Sequence, residues 1–265
     1  MTALMGMIRK ELKVSFTTPV AYIVFFLFAL LVSMLFWGQL REFERMVQKM
    51  RHISDPEMLA QLNFNDIILA EVFVNIQVVY IFLIPILTMR MLAEEKKQRT
   101  MELLMTTPIT PATVLFGKYI AMLVILLCLC MLLMVYPIIL TWYGTNSMVQ
   151  VSVIDWRTTT LGIAGVFLSG MMFSALGFVF SSITENQIVS ALLTFFTLLL
   201  LWFIGGTSMN IHGWLADVLT FLSPLSHVKN FAKGIFHVGD VAYYLSITGI
   251  LLFLTHRMVE GQRWG

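Results

Sequence analysis

Residues 119–141 read YIAMLVILLCLCMLLMVYPIILT and contain no charged side chain. A helix of about 20 apolar residues is long enough to cross the hydrocarbon core of a bilayer, so this segment predicts a membrane span. Other parts of the chain are also free of Asp, Glu, Lys and Arg, namely 14–40, 72–89, 158–184, 186–216 and 241–256. Each can hold about 20 spanning residues, or nearly so, which predicts a chain that crosses the membrane several times.

The composition of the 265 residues supports the same conclusion. Hydrophobic residues make up 58% of the chain and charged residues only 12%, against roughly 25% charged residues in a typical soluble domain. One compact core cannot bury so much apolar surface, which indicates an all-α integral membrane protein with a single transmembrane domain over residues 1–265. The formal net charge of +2, without an extended Lys/Arg tract, argues against a nucleic-acid partner bound through bulk charge.

Six transmembrane helices are predicted, at about 19–38, 67–88, 113–141, 159–180, 187–205 and 241–257. The first follows basic residues, as the apolar part of a signal peptide does, but it is too long and ends in Met34–Trp37 rather than in a small-x-small cleavage site. It is therefore interpreted as a retained helix. The last is the shortest, with about 16 residues between Asp240 and Arg257, or roughly 24 Å of helix.

The distribution of basic residues predicts the orientation. With the N-terminus inside, ten Lys and Arg residues lie in inner segments and seven in outer ones, and five of those ten lie in one short loop, 89–118. Because basic residues near the ends of spans favour the cytoplasmic side, both termini are expected in the cytoplasm.

Two inner segments show helical patterns outside the spans. In residues 4–16, Leu4, Ile8, Leu12 and Phe16 recur at intervals of four, which predicts an N-terminal helix lying along the inner membrane surface; simple anchoring by its basic residues is the alternative. Residues 91–105 form a second amphipathic pattern with i,i+4 and i,i+3 charge pairs, for which a solvated charged loop is the alternative. Thr110 is expected to cap the third span, with Pro111 in its first turn.

Three further features lie in or between the later spans. The inner turn 181–187 is polar and without basic residues, whereas the outer segment 206–240 stays apolar but is interrupted by glycine and by Pro224, which predicts short helices dipping into the outer leaflet. Small residues recur through the fourth span and indicate close helix packing. Glu71 is interpreted as a residue of the outer interface rather than of a pathway, since the second span can begin near Asp66.

Catalytic and metal-binding patterns do not emerge from the sequence. The histidines are loop or end residues, and the spacing of His212, His227 and His237 is not that of a metal site. Ser169-Gly170 has no histidine in another span to activate it and is interpreted as packing. Gly117-Lys118 is followed by Tyr119, so the phosphate-binding loop of ATPases is missing. We therefore expect no enzyme activity, no metal and no cofactor in this chain.

The stretch from Leu87 to Thr110, followed by Gly117-Lys118, resembles the permease subunits of type-2 ATP-binding-cassette (ABC) exporters. It looks closest to the gliding-motility-associated permease group. Further similar stretches are Arg9-Lys10-Glu11-Leu12, Thr18-Pro19-Val20-Ala21-Tyr22, residues 181–187, Leu225-Ser226-His227 with Phe231 and Gly234, and Arg263-Trp264. One departure is Arg99-Thr100, where many relatives have a glycine before the Thr or Ser.

The resemblance implies a half-transporter in the plasma (inner) membrane. It would pair with a second permease copy or a paralogous permease and with cytoplasmic ATPase subunits, which bind the ATP. The family has an N-terminal interfacial helix, a coupling helix that would match residues 91–105, and re-entrant helices that would match 206–240. The residues expected to contact the ATPase are Glu94, Glu95, Arg99 and Glu102, together with Thr184, Glu185 and Asn186 of the second cytoplasmic turn.

These inferences favour the transmembrane subunit of an ABC exporter, which forms the translocation pathway and couples to separate ATPase subunits. The alternative is a membrane anchor or scaffold that recruits a cytoplasmic complex without transporting substrate. A gradient-driven transporter ranks third, because it would usually carry buried ionisable residues deep in several spans. The substrate is not specified by the sequence.

Overall fold

The computed structural model of the chain describes residues 2–53, 65–98, 110–144, 154–207 and 213–261, and the regular elements in these ranges are helices. In chain order they are α1 (Thr2–Thr17), α2 (Pro19–Ile53), α3 (Ala70–Thr88), α4 (Ala93–Lys97), α5 (Pro111–Leu133), α6 (Val135–Gly144), α7 (Trp156–Ile183), α8 (Gln187–Thr207), α9 (Trp214–Leu222), α10 (Pro224–Ala232) and α11 (Val238–Gly261). One π-helical turn, Asn65–Leu69, leads into α3.

Six helical stretches in the described residues are long and apolar enough to cross a membrane. They are Pro19–Lys49, Ile67–Lys97, Pro111–Trp142, Trp156–Ile183, Gln187–Gly206 and Val238–Gly261. The all-α architecture and the six predicted spans are confirmed, and so are a separate N-terminal helix and short helices between the fifth and sixth spans. Of the predicted helix 91–105, the structure has α4, while residues 99–105 lie outside the described ranges.

The first spanning helix is longer than predicted, since α2 continues beyond residue 38 to Ile53. Its extension keeps one face against the core, where Phe43 is buried. On the other face Arg45 donates to Glu42 at 3.5 Å, an i,i+3 pair that supports a helix. Charged residues therefore end the apolar stretch without ending the helix.

The last helix is also longer than predicted, because α11 runs from Val238 to Gly261. At about 1.5 Å per residue, the 24 residues of α11 extend over roughly 36 Å. The charged residues that limited the predicted span, Asp240 and Arg257, both lie inside the helix. By its length, the whole helix can therefore cross a bilayer.

The glycine-rich helix α7 is the most buried of the six spanning helices. Within its 18-residue apolar stretch, 78% lies buried inside the bundle. A Cβ at Gly165 would lie 2.5 Å from Phe231 Cβ, and a Cβ at Gly177 would overlap the Thr88 side chain. Small residues let neighbouring helices approach closely where backbone faces side chain. The interpretation of α7 as a packing helix agrees with these contacts.

Side chains cap the starts of α5 and α7. Thr110 Oγ1 accepts from Thr113 N at 3.3 Å and Pro111 occupies the first turn of α5, as the sequence predicts. At the start of α7, Asp155 accepts from Thr158 Oγ1 at 2.6 Å and from Arg157 N at 3.0 Å. These hydrogen bonds, that from the Thr158 side chain above all, hold the pKa of Asp155 below its usual value. The caps satisfy backbone N–H groups that have no partner within the helix.

The described ends of the chain lie at the same end of the bundle. Helix α1 packs on the start of α5, where a Cβ at Gly117 would lie 2.8 Å from Met7 Cγ. Near the end of α11, the Met258 sulfur accepts from Ser182 Oγ at 3.4 Å, and Ser182 lies in the last turn of α7. This end also carries α4 and the turn between α7 and α8.

Candidate functional site

The segment that leads into α4 is fixed to the end of α7 by one hydroxyl group. Ser181 Oγ accepts hydrogen bonds from the backbone N–H groups of Leu92 and Ala93, both at 3.0 Å. It donates to the carbonyl oxygen of Met89 at 3.3 Å. A hydroxyl group has one donor and two acceptor positions, so Ser181 uses all of them to position the start of α4.

The end of α4 is attached to the same helix. The ammonium group of Lys96 donates to the carbonyl oxygen of Ser182. The following turn is shaped by Asn186, whose side-chain oxygen accepts from Ile188 N at 3.0 Å, and by Thr184, whose hydroxyl donates to Asn186 O at 3.2 Å. The segment 93–98 and the turn 184–186 therefore lie side by side, and we call them together the coupling surface.

A lysine in the second turn of α5 ties this surface to the N-terminal helix. Lys118 Nζ lies 3.0 Å from Glu11 Oε1 of α1 and 2.9 Å from Glu95 Oε1 of α4. The side chains are 3%, 10% and 12% exposed. Lys10, which is largely exposed, lies 4.0 Å from the same oxygen of each glutamate. Two cations and two carboxylates thus form a neutral cluster that joins three helices.

Buried charges of this kind are tolerated because they are paired. An isolated ion in a low-dielectric interior costs several kcal/mol, whereas close opposite charges and hydrogen bonds offset that cost. Lys118 and Glu11 were not selected as site residues from the sequence. A signal for Lys118 was present, since an ionisable residue in an apolar span usually faces the bundle interior and pairs there.

The predicted contact residues of the coupling segment have different positions. Glu94 is half-buried and lies 3.3 Å from Arg90 Nε, while Glu95 turns inward to Lys118. Arg99 and Glu102 lie outside the described residues, and so do the predicted charge pairs that involve them. In the second turn Glu185 and Asn186 are exposed and Thr184 is half-buried. Among the predicted carboxylates in the described residues, Glu94 and Glu185 are therefore the ones that face outward from the coupling surface.

A second polar cluster lies among the short helices at the other end of the bundle. His227 Nδ1 is 2.6 Å from Asp240 Oδ1, and His227 Nε2 is 2.9 Å from the carbonyl oxygen of Phe221. Asn230 donates to the second Asp240 oxygen at 2.9 Å. The ring of Tyr243 stacks on the imidazole with 4.0 Å between centroids. These contacts fix α9 and α10 to the first turn of α11.

The hydrogen-bond partners of His227 determine where protons lie. A carbonyl oxygen only accepts, so Nε2 carries a hydrogen and donates it to Phe221. The 2.6 Å contact between Nδ1 and the carboxylate requires one further proton, on either His227 or Asp240. The pair is therefore a structural link of α10 to α11 in which one proton is shared.

The histidines do not gather into a metal site where the structure describes them. His227 contacts Asp240 as above, His237 is exposed, and His212 lies outside the described ranges. In the part of the chain that is described, no three or more His, Cys, Asp or Glu side chains lie close enough together to hold a metal ion. Chemistry in the described residues thus rests on ion pairs and hydrogen bonds.

Ser169 has a packing role in the described contacts. Its hydroxyl accepts from Gln77 Nε2 at 2.9 Å and donates to the carbonyl oxygen of Val166 at 2.9 Å. Both Ser169 and Gln77 are buried. A side-chain hydrogen bond between two spans satisfies polar groups that lipid cannot, so Ser169 links α3 to α7.

Glu71, which the sequence placed at an interface rather than in a pathway, is exposed at the start of α3.

The comparison with known protein families gives one match. The family described as ABC-2 family transporter protein matches residues 5–259, which is nearly the whole chain. No curated protein matches the sequence. The matched range contains α1, the coupling surface, the Lys118 cluster and the His227 cluster.

Proposed function

Because the chain belongs to the ABC-2 family of transporter proteins, we propose that it is the membrane half of an ABC exporter driven by separate ATPase subunits. The chain is a multi-pass transmembrane permease, and permeases of this family partner with ABC ATPase subunits. In the proposed complex those subunits bind and hydrolyse ATP. The permease converts their movement into altered access to a pathway between its helices.

The observation that carries the proposal is the way the coupling surface is joined to the spans. Ser181 holds the start of α4 on α7, and Lys118 holds Glu95 of α4 against α1 and α5. A force applied to the coupling surface would therefore act on three helices at once. An extended loop without these links would move independently of the spans.

The outward charges of the coupling surface suggest which residues meet the ATPase. Glu94 and Glu185 would face the partner, with Thr184 and Asn186 beside them. Glu95 would act inside the permease, because its carboxylate contacts Lys118 at 2.9 Å. The expected contacts of Arg99 and Glu102, in the part of the loop beyond Gln98, remain predictions.

The proposal includes the assembly and the location of the transporter. Two permeases, either two copies of this chain or this chain and a paralogue, would enclose the pathway. Both termini would be cytoplasmic in the plasma (inner) membrane, since they lie at the same end of the bundle as the coupling surface. The N-terminal helix would lie along the membrane surface, α9 and α10 would dip into the outer leaflet, and the chain would fall in the gliding-motility-associated group.

Charge reversal on the coupling surface tests the proposal. The tagged chain is purified in mild detergent from its native membrane, and the proteins recovered in stoichiometric amounts are identified. We expect a cytoplasmic ABC ATPase with the wild type and at least a tenfold loss of it with Glu94→Lys combined with Glu185→Lys. Glu42→Lys, an exposed carboxylate in the distal part of α2, is the matched control.

The outcomes separate the two function classes. Loss of the ATPase from the double variant but not from the control supports the exporter and its coupling surface. Recovery of other proteins without an ATPase contradicts the exporter and supports a membrane scaffold. Equal recovery of the ATPase from all three chains contradicts the placement of the contact.

A further inference from the structure

A cavity of about 480 Å³ lies beside α4, at the end of the bundle that carries the coupling surface. Its walls come from the α1–α2 junction, from the end of α3 with α4, and from α5. Cavities of roughly 300–1,000 Å³ are typical of small-molecule binding sites. The volume is therefore sufficient for a ligand.

The lining of the cavity changes from charged to apolar along its length. Six charged residues line it, namely Lys10, Glu11, Arg90, Glu94, Glu95 and Lys118. The apolar wall includes Ala21, Ile86 and Ile125. Ile125 comes seven residues after Lys118 on α5, which places it about 10 Å further into the bundle. The cavity is thus charged at its mouth, beside α4, and apolar further into the bundle.

The three cations and three carboxylates at the mouth make it electrically neutral but strongly dipolar. Lys118 already contacts Glu11 and Glu95 at 3.0 and 2.9 Å. Nearer to solvent, Arg90 contacts Glu94 through Nε at 3.3 Å, with 24% and 37% of these side chains exposed. A guanidinium group has five N–H donors and recognises phosphate well.

We propose that this cavity binds one phospholipid with a zwitterionic, primary-amine headgroup. The phosphate would lie against Arg90 and Lys10, the ammonium group against Glu94, and the first part of an acyl chain along Ile86 and Ala21. A lipid satisfies the charged mouth and the apolar depth together, which a soluble ion does not. A primary ammonium can donate hydrogen bonds to Glu94, whereas a quaternary ammonium has no N–H to donate. An anionic headgroup without an amine would add net negative charge to a neutral site.

This inference goes beyond the proposed function, because it concerns a bound lipid and not the transported substrate. The lipid would fill the space between the α1–α2 junction and the end of α3. It would therefore fix the N-terminal helix relative to the coupling surface from the membrane side.

Native mass spectrometry of the full-length chain tests the site. The protein is extracted in mild detergent, exchanged into detergent without lipid, and titrated with phosphatidylethanolamine, phosphatidylcholine or phosphatidylglycerol of the same acyl chains. We expect one retained phosphatidylethanolamine per chain, with at least fivefold weaker retention of the other two lipids. Ile86→Trp fills the cavity and Arg90→Gln removes the phosphate donor, so each should reduce retention at least fivefold.

A second filling variant and a matched control keep the result interpretable. Ala21→Leu adds less volume than Ile86→Trp and serves if the latter does not fold, as judged by helical circular dichroism and a single elution peak. Leu192→Trp, at a site on α8 that is 49% exposed and does not line the cavity, should retain lipid like the wild type.

Four outcomes would overturn the proposal. Equal retention of all three phospholipids by the wild type would indicate general contact with lipid. Retention unaffected by the filling variants would place the lipid elsewhere, and retention unaffected by Arg90→Gln would exclude the assigned headgroup contact. In the fourth outcome, the wild type retains no lipid while an added ATPase protects the cavity. In that case the cavity would be a contact surface for the ATPase and not a lipid site.

Discussion

At the scale of single residues, Lys118 joins the helices at the end of the bundle that carries the coupling surface. It is 3% exposed, and its two carboxylate partners belong to different helices. Removing one partner of a buried ion pair leaves the other charged and unpaired, which typically costs 3–5 kcal/mol. Substituting a serine or a glutamine on the surface would not have a comparable effect on stability, because it leaves no buried charge unpaired.

We expect Lys118→Met to destabilise the chain by roughly 3–5 kcal/mol, because Glu11 and Glu95 would lose their buried cation and keep only the exposed Lys10, 4.0 Å away. The free energy of unfolding in detergent, followed by the loss of helical circular dichroism, measures this effect. The triple variant with Glu11→Gln and Glu95→Gln should recover at least half of the loss, since it leaves no buried charge unpaired. An unchanged stability of Lys118→Met would contradict the cluster.

At the scale of helices, α7 determines how closely its neighbours pack. Its glycines face side chains of α3 and α10. Ser181 holds the start of the coupling segment, and Ser169 accepts a hydrogen bond from Gln77 of α3. Such contacts leave no room for additional methyl groups. Overpacking a fitted site typically costs 1–3 kcal/mol.

Gly177→Ala should therefore destabilise the bundle by about 1–3 kcal/mol, as its Cβ would overlap the Thr88 side chain. Gly249→Ala on α11 is the matched control, since a Cβ there meets nothing within 4 Å, and alanine favours a helix over glycine by about 1 kcal/mol. Thermal unfolding in detergent compares the two variants. If Gly177→Ala were as stable as the control, close packing at this position would be wrong.

At the scale of the whole molecule, the six spans determine which surfaces lie on the same side of the membrane. Gln98 belongs to the coupling surface, Glu42 lies in the distal part of α2, and both are exposed. In the proposed orientation, a membrane-impermeant maleimide should label Glu42→Cys in intact cells. It should label Gln98→Cys only after the membrane is opened.

The unmodified chain provides the background for this labelling, because Cys130 is buried and Cys128 half-buried. The reverse pattern of labelling would place the coupling surface outside and would contradict contact with a cytoplasmic ATPase. Labelling of both positions in intact cells would contradict the assigned spans.

The sequence by itself determined the features that depend on neighbouring residues. Charge-free segments located the six spans, the spacing of four in residues 4–16 predicted α1, and Thr110 with Pro111 located the start of α5. Local patterns suffice there because the membrane requires helices of a set length and because caps act within one turn. The helices α2 and α11 extend beyond the predicted spans, since charged residues end an apolar run but not necessarily a helix.

Only the tertiary structure decided which polar groups meet. Glu11 and Lys118 are distant in sequence, as are Ser181 and Ala93, and neither pair follows from periodicity or composition. Each buried polar group needs a partner, and which partner it finds depends on how α1, α5 and α7 pack. The inward position of Glu95 follows for the same reason, since Glu94 and Glu95 are neighbours in sequence and the partner of Glu95, Lys118, belongs to α5.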